Sequence, residues 1–195
     1  MTGKISGAIL AGGSGSRFGG KIKAKLEIQG ETIISRIIAT IEGVSDEKII
    51  VTNSPGEFAS IEGCRIITDK YANAGPLAGI HAALSEASGE AVFIIAGDMP
   101  YPDIVVIEQL ICAFYQKSFD VIVPSVGLHI EPLHAIYHTR ILDSLELFIR
   151  EGKSNAIRDF LATVNTGYLE FPLSDRIRKA FTNINYPADL DHLVL

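Results

Sequence analysis

Cysteine is scarce: Cys64 and Cys112 are the only two thiols in 195 residues, and no C-x-x-C spacing links them. That argues against a disulfide framework or a thiolate metal site, and both read as buried thiols of a reducing cytoplasm. No apolar run is long enough to cross a bilayer, although 47% of the chain is hydrophobic, so no membrane partner is expected. Met1-Thr2-Gly3-Lys4 leads directly into a strand-like segment without a signal-peptide pattern, and a cytoplasmic location is the expectation. Positive charge is not in excess either. A formal net charge of −6 argues against a nucleic-acid-binding surface. With no repeat, low-complexity tract or linker, residues 1–195 suit one α/β domain with a sizeable core.

Against that background, residues 10–26, "LAGGSGSRFGGKIKAKL", concentrate five glycines, Arg17 and three lysines. Glycine lets backbone amides approach a ligand closely, and amides beside cations suit an anionic guest such as a polyphosphate. A plain flexible surface loop is the competing reading. Two phosphate motifs fail here. G-x-G-x-x-G starting at Gly13 and Gly15 meets Phe18 where its third glycine belongs, and the P-loop pattern through Gly15, Gly20 and Lys21 meets Ile22 where a metal-binding hydroxyl is needed. Any metal ligand must therefore come from elsewhere.

Strand-like and helix-like segments alternate. "KISGAIL" reads as a buried first strand, "ETIISRIIATIEG" as a helix, and "KIIVTN" and "CRIITD" as strands around a Ser54-Pro55-Gly56 turn. "GPLAGIHAALSEASG" reads as a helix with Pro76 in its first turn, and "EAVFIIAGDMPYP" as a buried strand running into a polar loop. A helix over about 102–117, the strand "DVIVPS", a loop and strand within 127–138, helices near 140–150 and 153–162, a late strand in "ATVNTGYLEF" and a closing helix "PADLDHLV" follow. The pattern predicts a doubly wound, mostly parallel sheet with room for an antiparallel member among the later strands.

Ligands of such sheets sit beyond the carboxyl ends of the strands. Leu10, Ala11, Gly12 and the glycine loop fall there, with Asn53, Asp69 and Asp98 at the ends of the next runs. Asp98 follows the apolar "VFIIA", where a carboxylate can hold a hard cation such as Mg²⁺; the alternative is a cap for the helix after Pro102. Asp69 could equally cap a turn. His134 and His138 have a zinc spacing only if helical, and "LHAIYH" is strand-like with no H-E-x-x-H glutamate. Asn183 and Asn185 alternate on one face of a strand-like stretch before Pro187, or serve as turn formers.

"LAGGSGSRFGGK", "GPLAGI", "GDMPY" and "NINYPADL" occur in that order, and with them the chain resembles the molybdenum cofactor guanylyltransferase family from Leu10 to about Leu190. The opening loop and "GDMP" are shared with cytidylyl- and sugar-nucleotide relatives; "GPLAGI" and N-x-N-x-P-x-D-L favour the molybdenum branch. The resemblance implies a Rossmann-like nucleotidyltransferase fold and transfer of GMP from GTP to the terminal phosphate of molybdopterin or Mo-molybdopterin, releasing pyrophosphate with Mg²⁺. It further implies transient contact with other cofactor-biosynthesis proteins. By position, Leu10, Ala11, Gly12, Gly13, Lys23, Asn53 and Asp69 would contact the nucleotide, Arg17, Lys23 and Asp98 would carry catalysis with Asp98 on the metal, and Asn183 and Asn185 would lie on the acceptor side. Two positions depart from the pattern: Ile22 replaces the usual Asp, and Tyr186 stands where Thr is usual. The alternatives are a cytidylyltransferase on the same cofactor, a guanylyltransferase with another phosphorylated acceptor, and a non-catalytic GTP-binding module.

Overall fold

The computed structural model describes residues 4–12 and 18–191. Its ten strands and seven helices run β1 (Ile5–Leu10), β2 (Glu27–Ile28), β3 (Glu31–Thr32), α1 (Ile33–Glu42), β4 (Glu47–Val51), β5 (Arg65–Ile67), α2 (Pro76–Glu86), β6 (Ala91–Ala96), α3 (Ile104–Gln116), β7 (Val121–Val126), β8 (His129–Ile130), β9 (His134–His138), α4 (Leu142–Glu151), α5 (Ile157–Leu161), β10 (Thr166–Glu170), α6 (Asp175–Ala180) and α7 (Pro187–Asp191), counted among the described residues.

The main sheet has the order β10-β7-β9-β6-β1-β4-β5, with β8 paired to β7. β1 is parallel to both β4 and β6, and β7 is parallel to β10. β9 alone is inserted antiparallel between β6 and β7, which supplies the expected odd member. All six residues of β6 are buried. With helices on both faces, neither side chain set of a central strand reaches water, so "AVFIIA" is continuously apolar where an edge strand would alternate.

Each helix shows why it forms where it does. In α1, Ile33, Ile34, Ile37 and Ile41 share a buried stripe, and Thr32 caps the start by accepting from the Ser35 amide at 3.2 Å. Isoleucine is a mediocre helix former; burial of that stripe overrides propensity. α3 is capped by Asp103, whose carboxylate accepts from the Val105 and Val106 amides at 2.9 and 3.4 Å. Asp98 therefore does not cap that helix, and its carboxylate is left for another use. α1, α3 and α6 cover one face of the sheet, burying Ile37, Leu110 and Ile177, while α2, α4 and α5 cover the other with Ile80, Leu145 and Phe160.

Two expectations are corrected. The thiols are not both buried: Cys112 is exposed and Cys64 half-buried. Cys112 lies off the stripe of α3 that buries Val106, Ile107, Leu110 and Phe114, and its sulfur accepts from the Gln116 amide at 3.0 Å. Residues 183–185 form no strand; they run as an extended strap, with Ile184 fully buried and its amide donating to the Asp98 carbonyl at 2.9 Å. The closing helix is described to Asp191.

His134 and His138 sit in β9, so helical zinc spacing does not arise. His134 is fully buried, edge-on to Phe93 and Phe181 at ring distances of 5.1 and 5.2 Å. Burial pushes its pKa down to about 3, with the Asp103 charge opposing. A histidine depressed in the folded state contributes stability above its unfolded pKa that is lost as pH falls below it. Between pH 6 and pH 5, this residue alone should remove about 1 kcal/mol of stability for each unit of acidification. Urea melts of the wild type and His134→Leu across that range should show the slope, and its flattening in the variant; an identical slope in both would place the linkage elsewhere.

Candidate active site

β1 and β6 leave the sheet side by side. The Gly97 amide donates to the Leu10 carbonyl at 3.0 Å, and the Ala11 amide donates to Val51 at 2.9 Å. A side chain at residue 97 would be tight: its Cβ would stand 3.1 Å from the Leu10 oxygen and 3.1 Å from the Ala24 methyl, so both neighbours would have to give way. Glycine lets the two strand ends and the turn carrying Lys23 meet this closely without displacing a neighbour. Gly79 plays the same part below them, where a Cβ would meet the Leu10 side chain at 3.2 Å.

A cavity of about 870 Å³ opens at this edge, a volume suited to a nucleotide. Leu10, Ala11, Gly12, Lys23, Asn53, Asp69 and Asp98, all expected at the site, line it together. Gly13 and Arg17, the other two expected there, lie outside the described residues. Asn53 and Asp69 form one wall and are joined by an Asn53 Nδ2 to Asp69 Oδ2 hydrogen bond of 2.7 Å. Lys23 and Asp98 form the other; Lys23 Nζ stands 2.8 Å from Asp98 Oδ2, with both side chains about a quarter exposed, at 26% and 24%. The N-terminal end of α2, at Gly75 and Pro76, completes the rim and brings the positive end of a helix dipole to it.

Local packing decides which lysine reaches Asp98. Residues Lys23–Lys25 make a single 3-10 turn whose middle residue, Ala24, is buried under Gly97. With Ala24 pointing inward, its neighbours diverge: Lys23 turns into the cavity, and Lys25 pairs with Glu57 at 2.6 Å outside. Ile22, in place of the usual Asp, packs against the core. Asn185 joins the same corner, its Oδ1 accepting from Lys23 Nζ at 3.5 Å. Asn183 lies further back; its amide donates to the Phe181 carbonyl at 3.5 Å and to Glu131. Burial pushes the Glu131 carboxyl up and the Asp98 charge adds to the rise, while the Asn183 hydrogen bond and His129 oppose it.

Sequence reasoning missed Glu131 and the wall residues Tyr71 and Asn73. The wall loop was within reach, because it joins Asp69 to "GPLAGI" and so must leave the sheet at the ligand edge. Glu131 gave no signal, since only the inversion of β9 brings it there.

The exit of β1 at Leu10–Gly12 meets the Asp98–Lys23 pair at the edge where open α/β sheets bind their ligands. Residues 7–166 match the family model described as the MobA-like NTP transferase domain. A molybdenum cofactor guanylyltransferase of Desulfosudis oleivorans is 33% identical, the alignment covering 96% of this chain and 93% of that protein. The solved molybdopterin-guanine dinucleotide biosynthesis protein A of Archaeoglobus fulgidus superposes with a TM-score of 0.82 at 27% identity, covering 97% of this chain and 96% of that one. The 4-diphosphocytidyl-2C-methyl-D-erythritol synthase of Anaerococcus prevotii shares the fold, with a TM-score of 0.73 at 13% identity over 97% and 94% of the two chains. The chain belongs to the family of MobA-like NTP transferase domains. It is an enzyme of the nucleotidyltransferase class.

The diverging lysines make a direct test. Lys23→Ala should weaken nucleoside triphosphate binding by about tenfold or more, the scale of one charge-assisted contact. Lys21→Ala and Lys25→Ala should each stay within about threefold, as exposed pairs contribute little. Calorimetric titration of the three variants decides it, and a Lys25→Ala protein crippled beside a near-normal Lys23→Ala would place the wrong lysine in the cavity.

Proposed function

We propose that this protein transfers GMP from GTP to the terminal phosphate of molybdopterin, or its molybdenum-loaded form, with release of pyrophosphate and with Mg²⁺ as cofactor. The observation that carries the reading is the Lys23–Asp98 pair, set at 2.8 Å on the wall of a nucleotide-sized cavity and opposite the Asn53–Asp69 wall. A module that merely held GTP would have no need of a paired carboxylate and ammonium at that place.

The donor set fits the metal. Asp98, a carboxylate on the cavity wall beside Lys23, would be the protein ligand at this edge. Mg²⁺ commonly takes one or two carboxylates and fills its remaining positions with phosphate oxygens and water. Bound there, it would neutralise charge on the triphosphate as the transition state forms.

The chain's own groups account for the rest. Attack by the acceptor phosphate oxygen on the α-phosphorus forms one P–O bond and breaks the bond to the β-phosphate, so pyrophosphate departs as the leaving group. Two anions must approach in line, and no covalent protein intermediate is required. Lys23 provides a cation that can shift from the Asp98 carboxylate to a phosphate oxygen without crossing the cavity. Asp98 is fixed at both ends, its carbonyl by the Ile184 amide and its carboxylate by Lys23. The amides at the start of α2 and the exit of β1 add dipoles that cost no reorganisation. Asn185, beside Lys23, and Asn183 behind it would take the acceptor side.

The base preference has a physical basis as well. Asn53 has donated its amide to Asp69, so the carboxylate keeps spare lone pairs at the wall. Guanine offers two adjacent donors on its pairing edge, whereas cytosine offers one beside its acceptors. Carboxylate oxygens suit the former.

Purified protein incubated with molybdopterin, Mg²⁺ and each of the four NTPs in turn should release pyrophosphate with GTP well ahead of CTP. Turnover of CTP that equals or exceeds GTP would overturn the guanylyl reading. Asp98→Asn keeps the size of the residue and removes its charge. Its melting temperature should hold, because a rim residue carries little packing, while transfer falls by at least about a hundredfold. A folded Asp98→Asn protein with wild-type turnover would remove Asp98 from the metal site.

A further inference from the structure

The strap at 183–185 has no sheet neighbour, so its backbone amides must find partners elsewhere. The Ile184 amide donates to the Asp98 carbonyl at 2.9 Å, and the Ile184 side chain is fully buried. The next two amides share a different partner. Those of Asn185 and Tyr186 both donate to one oxygen of one side chain, Asp189 Oδ2, at 2.7 and 2.8 Å. Between the two anchors, the Asn185 side chain reaches the corner of the site, where its Oδ1 accepts from Lys23 Nζ at 3.5 Å.

Asp189 acts from the first turn of α7. Pro187 opens that helix, which puts Tyr186 at its N-cap and Asp189 three residues on. In a capping box, an acid at that third position accepts from the N-cap amide, while an N-cap hydroxyl accepts from the amide of the acid's own residue. Tyr186 carries its hydroxyl at the far end of a ring, out of reach of that amide, which donates to the Tyr186 carbonyl at 3.0 Å instead. The carboxylate half of the box is therefore the half this chain uses. Its bond to the Asn185 amide goes beyond capping, because residue 185 lies outside the helix.

We propose that Asp189 is a positioning residue of the acceptor side: by holding the Asn185 amide it fixes the side chain that meets Lys23, and so sets affinity for the phosphorylated acceptor. This rests on the reading of Asn183 and Asn185 as the acceptor side. Residues 183–189 are all described and none lines the nucleotide cavity, so affinity for the nucleoside triphosphate does not depend on the strap.

Three variants test it: Asp189→Ala, Asp189→Asn, and Asp189→Ala combined with Tyr186→Thr. Each is assayed for melting temperature, calorimetric GTP binding, and pyrophosphate release with Mg²⁺, saturating GTP and varied molybdopterin. Asp189→Ala should raise the KM for molybdopterin about tenfold and leave GTP affinity within about twofold. Its melting temperature should fall by about 2–4 °C, the scale of a lost cap. Asp189→Asn keeps an oxygen that can accept both amides, and its KM should stay within about threefold of the wild type. Threonine at 186 recaps the helix but offers the Asn185 amide nothing, so the double variant should recover its melting temperature and keep the raised KM. It also keeps the test decisive should Asp189→Ala fold poorly. An unchanged KM in Asp189→Ala, an Asp189→Asn protein as impaired as Asp189→Ala, GTP affinity that falls in step with KM, or a KM that recovers with the melting temperature would overturn the role of Asp189 and leave the proposed function standing. A wild type that releases no pyrophosphate from GTP with molybdopterin would overturn both.

Discussion

The hydrogen bond between the Gly97 amide and the Leu10 carbonyl, 3.0 Å long, is where strand pairing ends and the site begins. Past it the two segments diverge, and the one leaving β6 becomes the turn bearing Asp98. Because β1 and β6 are parallel, their last paired residues deliver both segments to the same edge at the same height. Moving Gly97 away from Leu10 would separate the Lys23 turn from Asp98 as well, since Ala24 is wedged against the same glycine. The Lys23–Asp98 pair is thus a consequence of sheet register more than of either loop.

On the proposed function, that pair would also reconcile an acidic protein with a polyanionic substrate. In the free protein Lys23 and Asp98 satisfy one another, partly shielded from water. A triphosphate arriving with its metal would, on that proposal, give each a new partner of the proper sign, so that charges are exchanged and none need be desolvated alone. Lys25 remains tied to Glu57, and the positive character of residues 21–25 is spent locally. The net charge of −6 and an anion site are compatible for that reason.

The parts of the fold legible in the sequence are those in which one physical signal dominates. β6 is apolar at every position because both its faces are covered, and α1 shows its isoleucine stripe at helical spacing. Asp98 stood out because a charge ended an apolar run. Signals that depend on distant partners did not show. α6, "DRIRKA", is short and polar, and only Ile177 and Ala180 touch the core. Cys112 is apolar enough to read as buried, yet one helical position decides its exposure. Asn183 and Asn185 showed strand-like alternation, but Ile184 between them is spent on the core and on Asp98 instead of a sheet partner.

The inversion of β9 gives the site its second half. In its register with β6, His134 lies beside Ile95, so β9 begins at the edge where β6 ends. Residues 131–133 therefore emerge at the cavity, where Leu133 lines it and its carbonyl accepts from the Ala96 amide at 2.8 Å. A parallel strand in that place would have sent them to the far edge. β7 and β10, both parallel to β6 in direction, end at the near edge too, and the chain after β10 returns through α6 to the strap at 183–185. One half of the site then comes from β1, β4 and β5, and the other from the inverted strand and the strap. Asp98 stands between them, its carboxylate bound by Lys23 of the first half and its carbonyl by Ile184 of the second.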